Sequence, residues 1–168
     1  MILTEGKRLR LRRANLTNLN YIMTLQYASE NLKFIVPFSE DYHREIITSD
    51  GAEKMDVIIE EIATGQAVGY FMLRELDSIC AEFTHVIIDK KGVGYGREAL
   101  NLLLKWTFET KKFHRVWIDC KDYNSIALHL YERAGFVREG VLREILLSNG
   151  VYENLIVLGM IDREYFSR

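Results

Sequence analysis

Three glycines at alternate positions, Gly92, Gly94 and Gly96, stand between an apolar β-rich run and a helical one. The first N–H groups of a helix lack internal partners and carry the positive end of its dipole. Glycines let a phosphate come close to such a backbone, so a diphosphate is a reasonable guest. Two familiar phosphate loops fail here. A Walker loop needs Gly-Lys-Ser/Thr, and the chain has Gly96, Arg97, Glu98. The dinucleotide fingerprint needs a third glycine where Arg97 stands. The same glycines also suit a tight strand-to-helix turn with no ligand. A second stretch runs from Asn124 to Phe136. Asn124 can cap a helix. Tyr131 follows seven positions later, two turns on and nearly on the same side. In its plainest role it is an amphipathic aromatic on a helix.

The elements that must position these residues can be read from periodicity. Leu9 and Leu11 alternate with charges and predict a first strand. Asn15 to Glu30 carries Leu19, Ile22, Met23 and Gln26 at helical spacing, with Asn15 or Thr17 as N-cap. Asn31 to Gly51 is irregular, with Pro37 and the aromatics Phe34, Phe38 and Tyr42, and room for a short helix. Met55 to Ile62 and Gln66 to Leu76 predict a hairpin, and Asp77 and Ser78 mark the next turn. Ala81 to Asp89 predicts another strand. Arg97 to Lys111 predicts a helix with Leu100, Leu103, Leu104 and Thr107 on one face. Arg115 to Cys120 is a strand, and Ser125 to Ala134 a helix stopped by Gly135. Val137 to Leu147 and Val151 to Ile161 flank Asn149 and Gly150, a strong hairpin signal. The order predicts a mixed α/β (α+β) domain with one main sheet of about seven mostly antiparallel strands.

Bulk properties bound the function. The 168 residues carry 22 basic and 24 acidic side chains, a net charge of -2, so no basic excess points to nucleic acid. The run Lys7, Arg8, Arg10, Arg12, Arg13 reads as the solvated face of an edge strand. Cys80 and Cys120 form no Cys-x-x-Cys pair, and His43, His85, His114 and His129 lack metal-ligand spacing, so no metal is expected. No apolar run approaches the ~20 residues of a membrane span, and no signal peptide is read at the start. A cytoplasmic setting and one continuous domain over residues 1–168 are the expectations.

The two glycine- and tyrosine-bearing segments together resemble the GNAT superfamily of N-acetyltransferases. Its cofactor pattern, Gln/Arg-x-x-Gly-x-Gly/Ala, is met by Lys91, Gly92, Val93, Gly94, Tyr95 and Gly96, with lysine at the first position. Its later pattern is met by Asn124, Ala127 and the run Leu130, Tyr131, Glu132, Arg133, Ala134, Gly135, Phe136. Glu139, Gly140 and the Asn149–Gly150 hairpin resemble the ribosomal-protein (RimJ/RimL-type) and spermidine acetyltransferase branch. The resemblance spans Met55 to Phe166 well and the first third loosely.

The resemblance implies a GNAT-like sheet with a splayed central strand pair, and acetyl-CoA as cosubstrate lying in the splay. Backbone groups of Val86, Ile87 and Ile88 would pair with the pantetheine arm, Lys91 to Arg97 would hold the diphosphate, and Asn124 would bond the arm from the far side. The reaction implied is direct attack of an amine on the thioester. A backbone N–H near Ile87 would steady the carbonyl oxygen. Tyr131 would protonate the departing thiolate, since a phenol with pKa near ~10 keeps its proton at neutral pH. Freeing an alkylammonium of its proton at pH 7 costs roughly 4–5 kcal/mol, so a base helps. Glu82 is the candidate, with a surface or amine-binding carboxylate as its plainer reading. His85 is the weaker one, because a regular strand would turn it to the opposite face. Neither cysteine suggests an acyl-enzyme. The acceptor is left as a polyamine, another small amine or a protein N-terminus. Glu40, Asp41, Glu45, Asp50, Glu53, Asp56 and Glu60 form either a surface attractive to a cation or a solvated acidic stretch. A homodimer through the C-terminal strands is one arrangement left open. A non-catalytic acetyl-CoA-binding module is the rival function.

Overall fold

The computed structural model describes residues 1–49, 53–75 and 79–168. Eight strands form one sheet in the order β1-β2-β3-β4-β5-β6-β8-β7. They are β1 (Ile2–Glu5), β2 (Leu9–Arg13), β3 (Lys54–Glu61), β4 (Ala67–Glu75), β5 (Cys80–Ile88), β6 (Arg115–Lys121), β7 (Val137–Ser148) and β8 (Val151–Ile161). All neighbours are antiparallel except β5 and β6. The strand not expected is β1. It has four residues and an exposed Ile2, too short for alternation to show. The expected turn at Asp77 and Ser78 lies outside the described residues.

Helices cover both faces. The first helical stretch breaks into a 3-10 turn (Leu16–Asn18) capped by Asn15, then α1 (Leu19–Tyr27) and α2 (Ser29–Leu32). The irregular segment contains α3 (Glu40–Thr48), whose Ser39 cap accepts from the Tyr42 N–H at 3.2 Å. The next helix, α4 (Tyr95–Lys105), starts two residues before the expected Arg97 and runs on as a π turn, Trp106–Thr110. Then come α5 (Ser125–Arg133) and a short α6 (Asp162–Phe166). Among the described residues no helix is long and apolar enough to cross a membrane.

The apolar run at Val57, Ile58 and Ile59 is fully buried because β3 is covered on both sides. Val57 and Ile59 join Phe71, Phe83, Leu100 and Leu103 in the larger core cluster. Ile58 turns the other way, to Ile22, Leu25 and Ile46 of α1 and α3. The basic run is not an edge strand, since β1 covers that edge. Arg10 Nε and Arg12 Nε each donate to the buried Glu60 at 2.6 Å. Arg8 binds Glu98 of α4 at 2.7 Å. The expected acidic surface is also revised. Asp56 and Glu60 are buried and paired with His43, Arg10 and Arg12, and Glu40 pairs with Arg44. Asp50 lies outside the described residues.

The feature that makes a site is where the sheet comes apart. β5 and β6 pair only at Cys80–Arg115, Ala81–Val116 and Glu82–Trp117. Beyond Glu82, β5 stays with β4 as far as Ile88, while β6 stays with β8 as far as Lys121.

Candidate active site

The parting of β5 and β6 opens a cleft of about 250 Å³. Glu82, Thr84, His85, Val86 and Ile87 line it from β5, and Asp119, Cys120 and Lys121 from β6. Asn124, Ala127 and Tyr131 come from α5 and its cap. The structure thus brings Glu82, Val86, Ile87, Asn124 and Tyr131 of the expected set around one opening.

The strand bearing Glu82 is not regular. Met72 of β4 faces His85 and Leu73 faces Phe83, so Thr84 is an extra residue, a β-bulge. The extra residue restores parity. Glu82, His85 and Ile87 lie opposite Arg74, Met72 and Tyr70, on one face of the sheet. The expectation that His85 turns away from Glu82 is therefore overturned, and both line the cleft. His85 is nonetheless a poor base. Burial and nearby His43 push its pKa down to about 4, against the hydrogen bond with the Val36 backbone. Its Nδ1 sits 2.9 Å from the Tyr70 hydroxyl.

Glu82 is buried, 3.2 Å from Arg74 Nη1. Burial raises its pKa, Arg74 draws it down, and Asp119 pushes it up again, leaving it above the usual glutamate range. Asp119 is also raised, by burial. The Tyr131 phenol is 5% exposed and its pKa lies well above that of free tyrosine, from burial and from Cys120 and Asp119. It stays protonated at neutral pH. The Cys120 thiol is pushed up to about 12 by burial and Asp119, which makes it a weak nucleophile.

The backbone of β5 sorts its own roles. Asp89 N–H donates to Val68 at 2.9 Å, and the Ile87 carbonyl lies against Gly69, where a Cβ would sit 2.4 Å from it. Alternation then turns the peptide groups of Ile87 to β4 and those of Val86 and Ile88 toward the opening. The Ile87 side chain borders the cleft, but its N–H is turned from it. Asn124 Oδ1 accepts from Ala127 N–H at 3.3 Å, and Asn124 is among the residues that line the cleft.

The glycine loop leads directly to the head of α4. Gly92 and Gly94 both have φ +81°, a conformation that side chains disfavour. Gly94 is the N-cap of α4, with no side-chain cap, so the first helical N–H groups are open to an anion. Lys91, Val93 and Arg97 are exposed beside them. The Tyr95 ring is buried, hydroxyl on Glu61, so only its backbone can serve a ligand. Gly96 packs near Ile88 and Leu130. Arg8 props the loop, with Nη1 on the Val93 carbonyl at 3.0 Å and Nε on Glu98 at 2.7 Å. Sequence reasoning missed this strut, because its partners lie some ninety residues away.

It also missed the wall opposite. Lys33 O accepts from Lys121 Nζ at 3.0 Å and Tyr123 OH at 2.7 Å, while Phe38 N–H donates to buried Gln26 at 3.0 Å. Pinned at both ends, the segment lays Phe34, Ile35, Val36 and Phe38 along the cleft. The Phe38 ring lies 5.1 Å from that of His85.

A model of the acetyltransferase (GNAT) domain matches residues 8–137. The chain belongs to the GNAT acetyltransferase family. This GNAT protein is 31% identical over 157 residues to the spermidine N(1)-acetyltransferase of Vibrio cholerae serotype O1, covering 92% of this chain and 88% of that one. It is 26% identical over 141 residues to the spermidine N(1)-acetyltransferase of Escherichia coli K12, covering 82% and 73%. The Vibrio cholerae spermidine N-acetyltransferase crystallised with CoA and spermine matches with a TM-score of 0.84 and 26% identity, over 96% of this chain and 99% of that one. The expected fold and activity hold: this GNAT domain is an acetyl-CoA-dependent N-acetyltransferase.

Proposed function

We propose that the β5–β6 cleft is where an amine attacks the acetyl thioester, with Tyr131 as acid and Glu82 as base. The observation that carries this reading is the parting of the strands after Glu82, which sets both side chains on one opening. Acetyl-CoA supplies the thioester carbonyl. Val86 and Ile88 offer unpaired peptide groups to its pantetheine arm, and Asn124 offers amide N–H groups from the other side. The open amides of Gly94, Tyr95, Gly96 and Arg97, with Gly92, Val93 and the charge of Lys91, suit its diphosphate. Glu82 takes a proton from the incoming ammonium, and its raised pKa makes it a better acceptor than an ordinary carboxylate. The amine lone pair then forms the N–C bond, the C–S bond breaks as Tyr131 gives its proton to the sulfur, and the surplus proton on the new amide nitrogen passes to the phenolate and restores Tyr131. The Tyr131 hydroxyl has no hydrogen-bond partner among the described residues, which leaves it available to that sulfur.

The acceptor is a polyamine or another small primary amine. The names of the relatives support this reading, as do the apolar walls that suit a methylene chain. We place the reaction in the cytoplasm, where Cys80 and Cys120 remain thiols. The outer strand β7 exposes Val141, Leu142, Ile145 and Leu147, an apolar edge that a second copy would cover as a homodimer. Sedimentation across micromolar concentrations reads that association.

The test is acetyl-CoA turnover with a panel of amines, followed by free-thiol release. Tyr131→Phe should lower kcat by about 10²–10³-fold. Its thermal shift with acetyl-CoA should match wild type. Unchanged kcat would remove Tyr131 from the reaction, and wild-type binding without turnover of any amine would favour a non-catalytic module.

A further inference from the structure

Three carboxylates in the described chain are more than nine-tenths buried: Asp56, Glu60 and Glu82. Each has a partner, respectively His43, the arginine pair Arg10 and Arg12, and Arg74. Asp119 breaks the pattern. It is half-buried in the cleft wall, and burial raises its pKa. Yet it accepts no hydrogen bond and pairs with no cation among the described residues. The nearest cation on its own strand, Lys121, is engaged by Glu153 at 2.7 Å and by the Lys33 carbonyl. Cys120 packs into the core beneath α5, and alternation turns Asp119 to the other face, the one bearing Glu82. Asp119 and Glu82 repel each other across the opening. Two carboxylates facing one another without a shared cation describe a place for one.

We propose that Asp119 binds the acceptor's ammonium opposite Glu82 and aims its nitrogen at the thioester, an assignment that rests on the site described under Proposed function. Asp119 holds the charged amine, Glu82 takes the proton, and the neutral amine is released beside the carbonyl. Phe34, Ile35, Val36 and Phe38 flank this position and fit the alkyl chain that follows the ammonium. The substrate class is therefore an alkylamine that enters as a cation.

Asp119→Asn keeps the shape and removes the charge. Steady-state kinetics with the best amine of the panel should show acceptor KM raised about 10- to 100-fold, the worth of one charge-assisted hydrogen bond. The KM for acetyl-CoA should stay within about threefold of wild type, and kcat at saturating amine should fall far less than in Glu82→Gln. Asp119→Glu should recover part of the acceptor affinity. The melting temperature of Asp119→Asn without ligand should be no lower than wild type. An unchanged acceptor KM in an active enzyme would overturn the assignment. So would parallel losses in both KM values with a lowered melting temperature, which would make Asp119 a structural group. Failure of the wild type to acetylate any amine is a separate result and would strike the proposed reaction instead.

Discussion

The two halves of the sheet are built on opposite terms. From β1 to β5 the strands pair without a gap, both faces are covered, and the buried carboxylate Glu60 is held by two guanidinium groups. At β6 the ladder stops after three residue pairs, and the carboxylate on the facing strand, Asp119, has no such company. The closed half pairs its buried carboxylates with Arg10, Arg12 and His43, leaving a single buried carboxylate oxygen there, Asp56 Oδ1, without a partner among the described residues. The open half leaves peptide groups, a phenol and a carboxylate without internal partners, and those are the groups that can be satisfied by a ligand. Stability and function are thus separated along one continuous strand, β5, whose first residues belong to both arrangements.

This contrast can be broken most severely in the closed half. Phe71, fully buried in β4, should cost ~3–5 kcal/mol when cut to alanine. Val86→Ala, at the lip of the opening, should cost only about 1 kcal/mol. Urea denaturation measures both, and equal losses would erase the distinction.

The next effect is ionic. Glu60→Gln leaves two guanidinium groups facing a neutral amide and should cost about 2 kcal/mol at pH 7. That is less than for a fully buried pair, since the Arg10 and Arg12 side chains are 31% and 20% exposed. The pH dependence has a definite sign. Burial opposes ionisation of Glu60, but the hydrogen bonds and charges of Arg12 and Arg10 outweigh it and hold its pKa below the ordinary 4.5. Its contribution is full above that pH and lost as the pH falls through the depressed folded value. The Gln variant should lack that part of the acid-induced loss.

Asp119 gives the smallest effect and the opposite slope. Its folded pKa is raised, so its ionised form disfavours the fold at neutral pH, and this cost is relieved as the pH falls through the raised value. Asp119→Asn should stabilise the unliganded protein by roughly 0.5–1 kcal/mol near pH 7, with the gain shrinking in acid. Thermal melts at several pH values check it.

Much of this was legible in the sequence. Asn149 and Gly150 take φ values of +51° and +79°, as the hairpin requires, and Gly135 ends α5 at φ +98°. The glycine loop stands where its spacing placed it, because backbone conformation there depends on residue type. What stayed hidden depended on partners far along the chain. The aromatics between Asn31 and Phe38 have no period, and become a wall only when Lys121, Tyr123 and Gln26 pin them. Arg8 and Arg10 looked like surface charges because Glu98 and Glu60 could not be set beside them. Asp119 did leave a trace: an acid inside an otherwise apolar central strand is unusual and deserved a question. The bulge at Thr84 left none, since an extra residue has no composition of its own.

That one surplus residue is cancelled where it stands. It works as a phase shift in the strand, so every side chain after it reports to the face its predecessor would have used. Because the bulge absorbs Thr84, deleting it would leave His85 directly after Phe83 in a regular ladder, still opposite Met72, with Ile87 still opposite Tyr70. A lineage could therefore lose that codon and keep the same lining of its acceptor chamber, changing only the local bend and twist of the strand.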